Sequence, residues 1–369
     1  MSFADQLNSL DWDSEKFSLH GKTAADVERA LARPQRDTED FKALISPAAR
    51  TYLEPMAQLS QQLTQQRFGR TQQLFAPLYL SNACANICTY CGFSMENRLR
   101  RKVLNADEIR REAVALKTRG FRHVLIVTGE APKVVGVDYF AEALTELQRH
   151  FAQVSLEVQP LEQADYERLQ ALGLHSVLVY QETYHRPTYA EHHRRGNKAD
   201  FGYRLDTMDR LGRAGIHRMG LGVLLGLTDW RTDSLMMAHH LRYLEQRYWR
   251  SRFSVSFPRL RPAAGDYQAR APISDADLVQ LICAWRLFSP DVELSLSTRE
   301  RAVFRDHLMT LGITSLSAES QTQPGGYSAE ADAALEQFEI DDSRPLEDVL
   351  AAIRSNGYEP VFKDWQAGW

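Results

Sequence analysis

Cysteine is scarce in this sequence: four in 369 residues, too few for a disulfide framework. A charge excess is missing as well, since 44 Lys+Arg stand against 48 Asp+Glu for a formal net charge of −4. That balance gives no electrostatic case for binding nucleic acid, which calls for a basic face. No apolar run approaches the roughly 18–20 residues that cross a bilayer; the longest, Met219–Leu227, is broken by glycines. The opening residues, Met1-Ser-Phe-Ala-Asp-Gln-Leu7, lack the basic and apolar regions of a signal peptide, so a cytoplasmic protein is expected. No Gly-, Ser- or Pro-rich linker marks a domain boundary, and no G-x-G-x-x-G follows the first apolar run. What is left is an ordinary globular composition, 44% hydrophobic and 25% charged.

Two rhythms divide the chain. Residues 1–73 read as helical; in Ala48–Gly69 the apolar Leu53, Met56, Leu59 and Leu63 recur at spacings of three and four. From residue 74, short apolar runs alternate with helix-period stretches. The runs are Leu74–Leu80, His123–Thr128, Val154–Gln159, Ser176–Tyr180, Arg218–Leu225, Phe253–Phe257, Glu293–Ser297 and Thr314–Ser317. Asn105 with Glu108 and Ser274 with Asp277 open helices as capping boxes, and Gly120, Gly173, Gly215 and Gly312 are placed to close them. Eight βα repeats from 74 to 320 match the about 250 residues of an eight-fold barrel. The expected architecture is therefore α/β: a TIM-like parallel β/α barrel over 74–320, an N-terminal helical extension over 1–73, and a C-terminal extension over 321–369 packed on the barrel. An open doubly wound sheet is the competing arrangement.

Barrel enzymes carry their chemistry at the C-terminal ends of the strands. Those ends are polar here: Cys84–Cys91, then Gly129 and Glu130, Glu157 and Gln159, Gln181 and Glu182, Arg259 and Arg261, Ser297 and Arg299, and Ser317 with Ser320. Cys84, Cys88 and Cys91 form C-x3-C-x2-C, a spacing that suits soft-metal or iron–sulfur binding. A structural zinc site wants a fourth ligand close by, yet the next histidine is His123. Cys283 lies mid-pattern on an apolar helix face and reads as a small core hydrophobe. Three ligands and a vacant fourth position point to a [4Fe–4S] cluster with one open iron; a zinc-binding module is the different-class alternative.

Cys84-Ala-Asn-Ile-Cys88-Thr-Tyr-Cys91, just after the first strand, resembles the signature of the radical S-adenosylmethionine superfamily. The resemblance implies that S-adenosylmethionine chelates the open iron, and that one electron cleaves it to methionine and a 5′-deoxyadenosyl radical. The longer strings Cys91-Gly-Phe-Ser-Met-Glu-Asn-Arg98, Val179-Tyr-Gln-Glu-Thr-Tyr-His185, Phe257-Pro-Arg-Leu-Arg-Pro262, Leu296-Ser-Thr-Arg-Glu300 and Gly325-Gly-Tyr327 are similar to the aromatic-amino-acid lyase branch. They are most like the tyrosine lyases that supply 2-iminoacetate for the thiamine thiazole. A sister branch of hydrogenase maturases has a C-terminal extension with further cysteines; no cysteine follows Cys283, which favours the thiamine branch.

On that resemblance, Cys84, Cys88 and Cys91 hold the cluster. Tyr90 and Phe93 pack the adenine or serve as core aromatics. Gly129 and Glu130 meet the S-adenosylmethionine amino group, with Thr128 replacing the first residue of the superfamily's Gly-Gly-Glu. Arg204 pairs with the cofactor carboxylate, and Glu157 and Gln181 suit ribose or substrate contacts. Gly222, with Gly226, lets a ligand edge near the backbone or eases a barrel bend. Arg299 clamps the substrate carboxylate with Ser297 and Ser317, Glu182 contacts substrate, and Arg259 and Arg261 follow as candidates. His192-His193 and His239-His240 read as structural or surface pairs. The implied reaction is Cα–Cβ cleavage of L-tyrosine to 2-iminoacetate and p-cresol. The implied partners are thiazole synthase and a low-potential donor such as flavodoxin. A radical enzyme acting on tryptophan, or in hydrogenase-cofactor assembly, keeps every cluster residue and is the nearest rival.

Overall fold

The computed structural model describes residues 2–265, 267–328 and 335–363. Eight parallel strands form the barrel: β1 (Thr71–Ser81), β2 (His123–Thr128), β3 (Gln153–Glu157), β4 (Ser176–Leu178), β5 (Arg218–Gly222), β6 (Arg252–Ser256), β7 (Glu293–Leu296) and β8 (Ser315–Ser317). Each pairs with the next in order, and β8 closes the ring on β1 through Gln73↔Ser315, Leu74↔Leu316 and Phe75↔Ser317. Each expected run contains its strand to within three residues at either end. The first and fifth differ most: β1 starts at Thr71, three residues before its run, and β5 stops at Gly222 where the run continues to Leu225. A ninth strand, β9 (Glu359–Val361), pairs beside the start of β1 and was not foreseen.

Alternation along each strand sends apolar side chains outward and leaves a polar bore. Val124, Ile126, Leu156, Val255 and Leu294 are buried between barrel and helices. Inside, His123, Ser155, Ser176, Arg218, Ser254 and Glu293 surround the lower bore, where bulky branched residues are the usual filling. Arg218 and Glu293 pair at 2.8 Å there. A polar bore leaves room above it, at the C-terminal mouth, for a ligand cavity.

The helices begin as expected. Asn105 and Ser274 both cap through complete capping boxes, with Glu108 and Asp277. Gly120, Gly173 and Gly215 take positive φ at helix ends. Gly312 does not: its helix ends at Leu308, and a Cβ at 312 would press on Ile282 and Ser60, so this glycine serves close packing. The helix expected over Ala48–Gly69 opens as a 3-10 turn, Pro47–Tyr52, and continues as Leu53–Phe68. Its most buried stripe is Met56, Ser60 and Thr64 rather than the leucines. Small residues there let it lie close against the helix Asp275–Phe288, where Cys283 is fully buried beside Ser60.

The C-terminal segment crosses the barrel mouth. Backbone bonds run from Gln337 N to Thr322 O (2.9 Å), Gly92 N to Gln337 O (3.1 Å), Glu339 N to Pro262 O (3.0 Å) and Asp341 N to Thr298 O (3.0 Å). These join loops that follow four different strands. The crossing is anchored by a fully buried ion pair between Arg305 and Asp342, with Arg344 also on Asp342 and on Asp306. Asp342→Ala leaves the Arg305 cation unpaired in the interior and costs about 3 kcal/mol or more. A denaturant-unfolding midpoint unchanged from wild type contradicts that anchoring role.

Candidate active site

The loop after β1 carries the three cysteines and is fixed from several sides. Ala85 N bonds Glu130 O (2.8 Å), and Cys88 N bonds Ser94 Oγ (3.2 Å). Arg101 binds the carbonyls of Asn82, Phe93 and Ser94 at 2.7–2.8 Å. Ile87–Cys88 also pairs antiparallel with His193–Arg195. His192 Nδ1 lies 2.7 Å from Thr89 Oγ1, and His193 Nε2 lies 2.7 Å from the Tyr90 hydroxyl. The first histidine pair therefore buttresses the cysteine loop. In the second, buried His240 stacks on Phe3 and meets the Tyr184 hydroxyl at 2.9 Å. Gly129 belongs to the same support, since a Cβ there would overlap the carbonyl oxygen of Ala83.

All three cysteines line one cavity, shared with Glu130, Glu157, Glu182, Lys198 and Arg204. Burial pushes the Cys84 and Cys88 thiols up. Cys91 Sγ accepts from Gln337 Nε2 at 3.6 Å, and Gln337 Oε1 accepts from Tyr79 (2.8 Å). Four nearly buried charges line the same cavity beside the cysteine loop. Glu130 takes Arg204 Nη1 (2.9 Å) and Asn86 Nδ2 (2.8 Å), and Arg204 holds it low despite its burial. Lys198 pairs with Glu182 (2.7 Å), and Arg204 reaches Glu182 at 3.7 Å. Two carboxylates and two cations balance inside the wall.

A second cavity borders the first along Val127, Glu157, Leu178 and Tyr180, which line both. Its walls are largely apolar and aromatic, with Ser256, Ser295, Ser297 and Ser317 among the polar points. Among the described residues its only charged linings are Glu157 and Arg299. The Arg299 guanidinium carbon lies 3.4 Å from the ring centre of Phe338, and Nη1 reaches Arg259 O at 3.3 Å. Burial lowers Arg299, and burial pushes the Glu157 carboxyl up to about 7.

Most of the expected site residues gather at these two cavities, but four do not match the roles expected of them. Arg259 faces away, committed to Glu300 and to Asp275 (2.9 Å), and lines neither. Gln181 is buried outside both, because strand alternation sends Tyr180 and Glu182 inward instead. Gly222 makes room for the Tyr180 ring, which a Cβ would overlap, rather than for a ligand edge. Arg204 has its donors on Tyr180 O (2.7 Å) and Glu130, so it is largely spent on the protein. Phe93, buried, and Tyr90, half-buried, flank the thiols, and Arg261 pairs with Asp341 (2.6 Å). Lys198, Tyr180, Gln337 and Phe338 were not foreseen. Lys198 follows Gly196 at φ 90, and Gln337 and Phe338 lie in an irregular strap, so no periodic pattern marked them.

A family model described as the Radical SAM superfamily matches residues 78–237, and one described as the Biotin and Thiamin Synthesis associated domain matches residues 256–359. The chain is 54% identical to 2-iminoacetate synthase of Escherichia coli K12, over 99% of this chain and 97% of the relative. It belongs to the radical SAM superfamily, in the 2-iminoacetate synthase family. The Salmonella typhimurium relative of the same name is 52% identical over the same shares. Among solved structures, a maturase of the [FeFe]-hydrogenase, HydG, superposes with a TM-score of 0.89 at 31% identity, covering 95% of this chain and 80% of that one. Methylornithine synthase, at a TM-score of 0.74 and 18% identity over 91% of this chain and 97% of that one, shares the fold.

Radical SAM membership implies an iron–sulfur cluster and S-adenosylmethionine, and the residues present fit both. Three unpaired thiols share one cavity wall. Soft thiolates of this kind are the ligands that iron–sulfur clusters take. The family fold thus makes the cysteine loop dependent on Gly129. Gly129→Ala displaces Ala83 and with it Cys84, at a cost of about 1–3 kcal/mol. Anaerobic reconstitution then binds less iron per chain than wild type; equal iron content contradicts the close-approach role.

Proposed function

We propose that this chain is a carbon–carbon lyase that cleaves L-tyrosine to 2-iminoacetate and p-cresol, with methionine and 5′-deoxyadenosine as co-products, for the thiamine thiazole. The observation that carries this reading is the adjacency of the cavities. A wall of three thiols abuts an aromatic pocket charged only by one arginine and one glutamate, among the described residues. When bound, a [4Fe–4S] cluster on Cys84, Cys88 and Cys91 together with S-adenosylmethionine supplies the hydrogen-abstracting radical.

The chain's own residues bind, orient and exclude water. Arg299 holds the substrate carboxylate, supported by Ser297 and Ser317, and is itself fixed by stacking on Phe338. The apolar walls around Phe75, Leu125 and Leu178 receive the aromatic ring. Glu130, backed by Arg204 and Asn86, and Lys198 with Glu182 present charges to the amino and carboxylate ends of the cofactor. Phe93 and Tyr90 pack beside the thiols. The strap carrying Gln337 and Phe338 narrows the mouth, which suits chemistry that must meet its substrate before water or oxygen. In this reading residues 74–320 are the catalytic barrel, and 1–73 and 321–369 are its extensions.

A labile imine suits direct transfer to thiazole synthase, a flavodoxin-like donor suits the low potential required, and both fit a cytoplasmic enzyme. No helix among the described residues is long and apolar enough to cross a membrane. Under anaerobic conditions with S-adenosylmethionine and a strong reductant, tyrosine yields p-cresol and glyoxylate, the hydrolysed imine. Cys88→Ala abolishes both products. Turnover of tryptophan in place of tyrosine, or full activity in the cysteine variant, overturns the reading.

A further inference from the structure

An amino acid enters such a site as a zwitterion, and the second cavity offers one cation and one anion, Arg299 and Glu157, among its described linings. Arg299 accounts for the carboxylate, which leaves the ammonium to be met. Glu157 stands at the end of β3, and it lines the pocket, the thiol cavity and the smaller recess beside Tyr90 alike. It is thus the carboxylate placed where substrate and cofactor must touch. The Tyr180 hydroxyl lies within hydrogen-bonding reach of Glu157 and donates to Ser256 Oγ at 3.0 Å, so a proton on Glu157 has a half-buried polar neighbour.

From this placement we propose that Glu157 receives the substrate ammonium and takes its proton, leaving an uncharged amine facing the thiol wall. The proposal rests on the tyrosine-lyase reading above and deepens it. In the step, one N–H bond breaks and one O–H bond forms on the Glu157 carboxylate; the electron pair of the N–H bond stays on nitrogen, and no electrons enter or leave. An ammonium has no lone pair to stabilise a nitrogen-centred radical, so loss of this proton precedes any hydrogen abstraction at nitrogen. The groups facing Glu157 are Tyr79 from β1, Tyr180, Glu182 and Lys198 from the fourth βα unit, and Arg299 after β7. Burial outweighs the two cations among them and holds the empty-site carboxyl near neutrality, at about 7, poised to exchange a proton with an amine.

The test uses the reconstituted enzyme with S-adenosylmethionine bound and no reductant, so that nothing turns over. Calorimetry of L-tyrosine binding in buffers of differing ionisation enthalpy reads the protons released. Below about pH 6, Glu157 already carries a proton in the empty site and sheds it to solvent before taking the ammonium's, so close to one proton is released; above about pH 8 the ammonium's proton only moves across to Glu157 and none is released. Glu157→Gln abolishes the release and weakens L-tyrosine about 10- to 100-fold. The same variant binds 3-(4-hydroxyphenyl)propanoate, which lacks the amine, within about twofold of wild type. Unchanged S-adenosylmethionine affinity in the variant shows that it is folded and that Glu157 is not a ribose anchor. Proton release that survives the substitution, equal weakening of both ligands, or a loss confined to S-adenosylmethionine overturns the proposal. Wild-type enzyme that makes no p-cresol from tyrosine overturns the lyase reading instead, so the two failures are distinguishable.

Discussion

Closure of the strand ring sets everything else in this molecule. When β8 pairs with β1, the loop that follows β1 and the serines that end β7 and β8 are brought to one mouth. An open sheet of the same strands leaves the cysteine loop and Arg299 at opposite edges. The ring also forces inward side chains into a narrow bore. Gly220 and Gly222 relieve it where Leu178 and Tyr180 turn in. Tyr180 can then stand between the two cavities and join them.

The second constraint is electrostatic. Glu130, Glu182, Lys198 and Arg204 lie nearly out of water, which is tolerable only because each carboxylate has a cation within hydrogen-bond distance. Their sum is zero, so a zwitterionic cofactor side chain meets a wall that is polar without net charge. The neighbouring cavity carries two charged linings among the described residues, Glu157 and Arg299.

Much of this was legible beforehand because periodicity reports burial. Eight apolar runs became eight strands, and the C-x3-C-x2-C spacing fell on the loop after the first of them. Strand-end position also singled out Glu130, Glu157 and Arg299. What stayed hidden was pairing at long range. Nothing local distinguishes Arg259, neutralised by Glu300 and Asp275, from Arg299, which stacks on Phe338 and faces the pocket. Gln181 misled for a simpler reason: adjacent strand-end residues point to opposite faces, and only the register decides which face is the bore. Lys198, Gln337 and Phe338 sit on irregular backbone whose placement is set by the barrel rather than by their own pattern.

The account turns on where the amino acid lies relative to the thiols. An anaerobic crystal structure with S-adenosylmethionine and L-tyrosine reads this directly. The account predicts the tyrosine carboxylate on Arg299, its ring between Phe75, Leu125 and Leu178, and its nitrogen hydrogen-bonded to Glu157 on the wall shared with Cys84, Cys88 and Cys91. Tyrosine held outside this pocket, or with its nitrogen turned away from that wall, contradicts it.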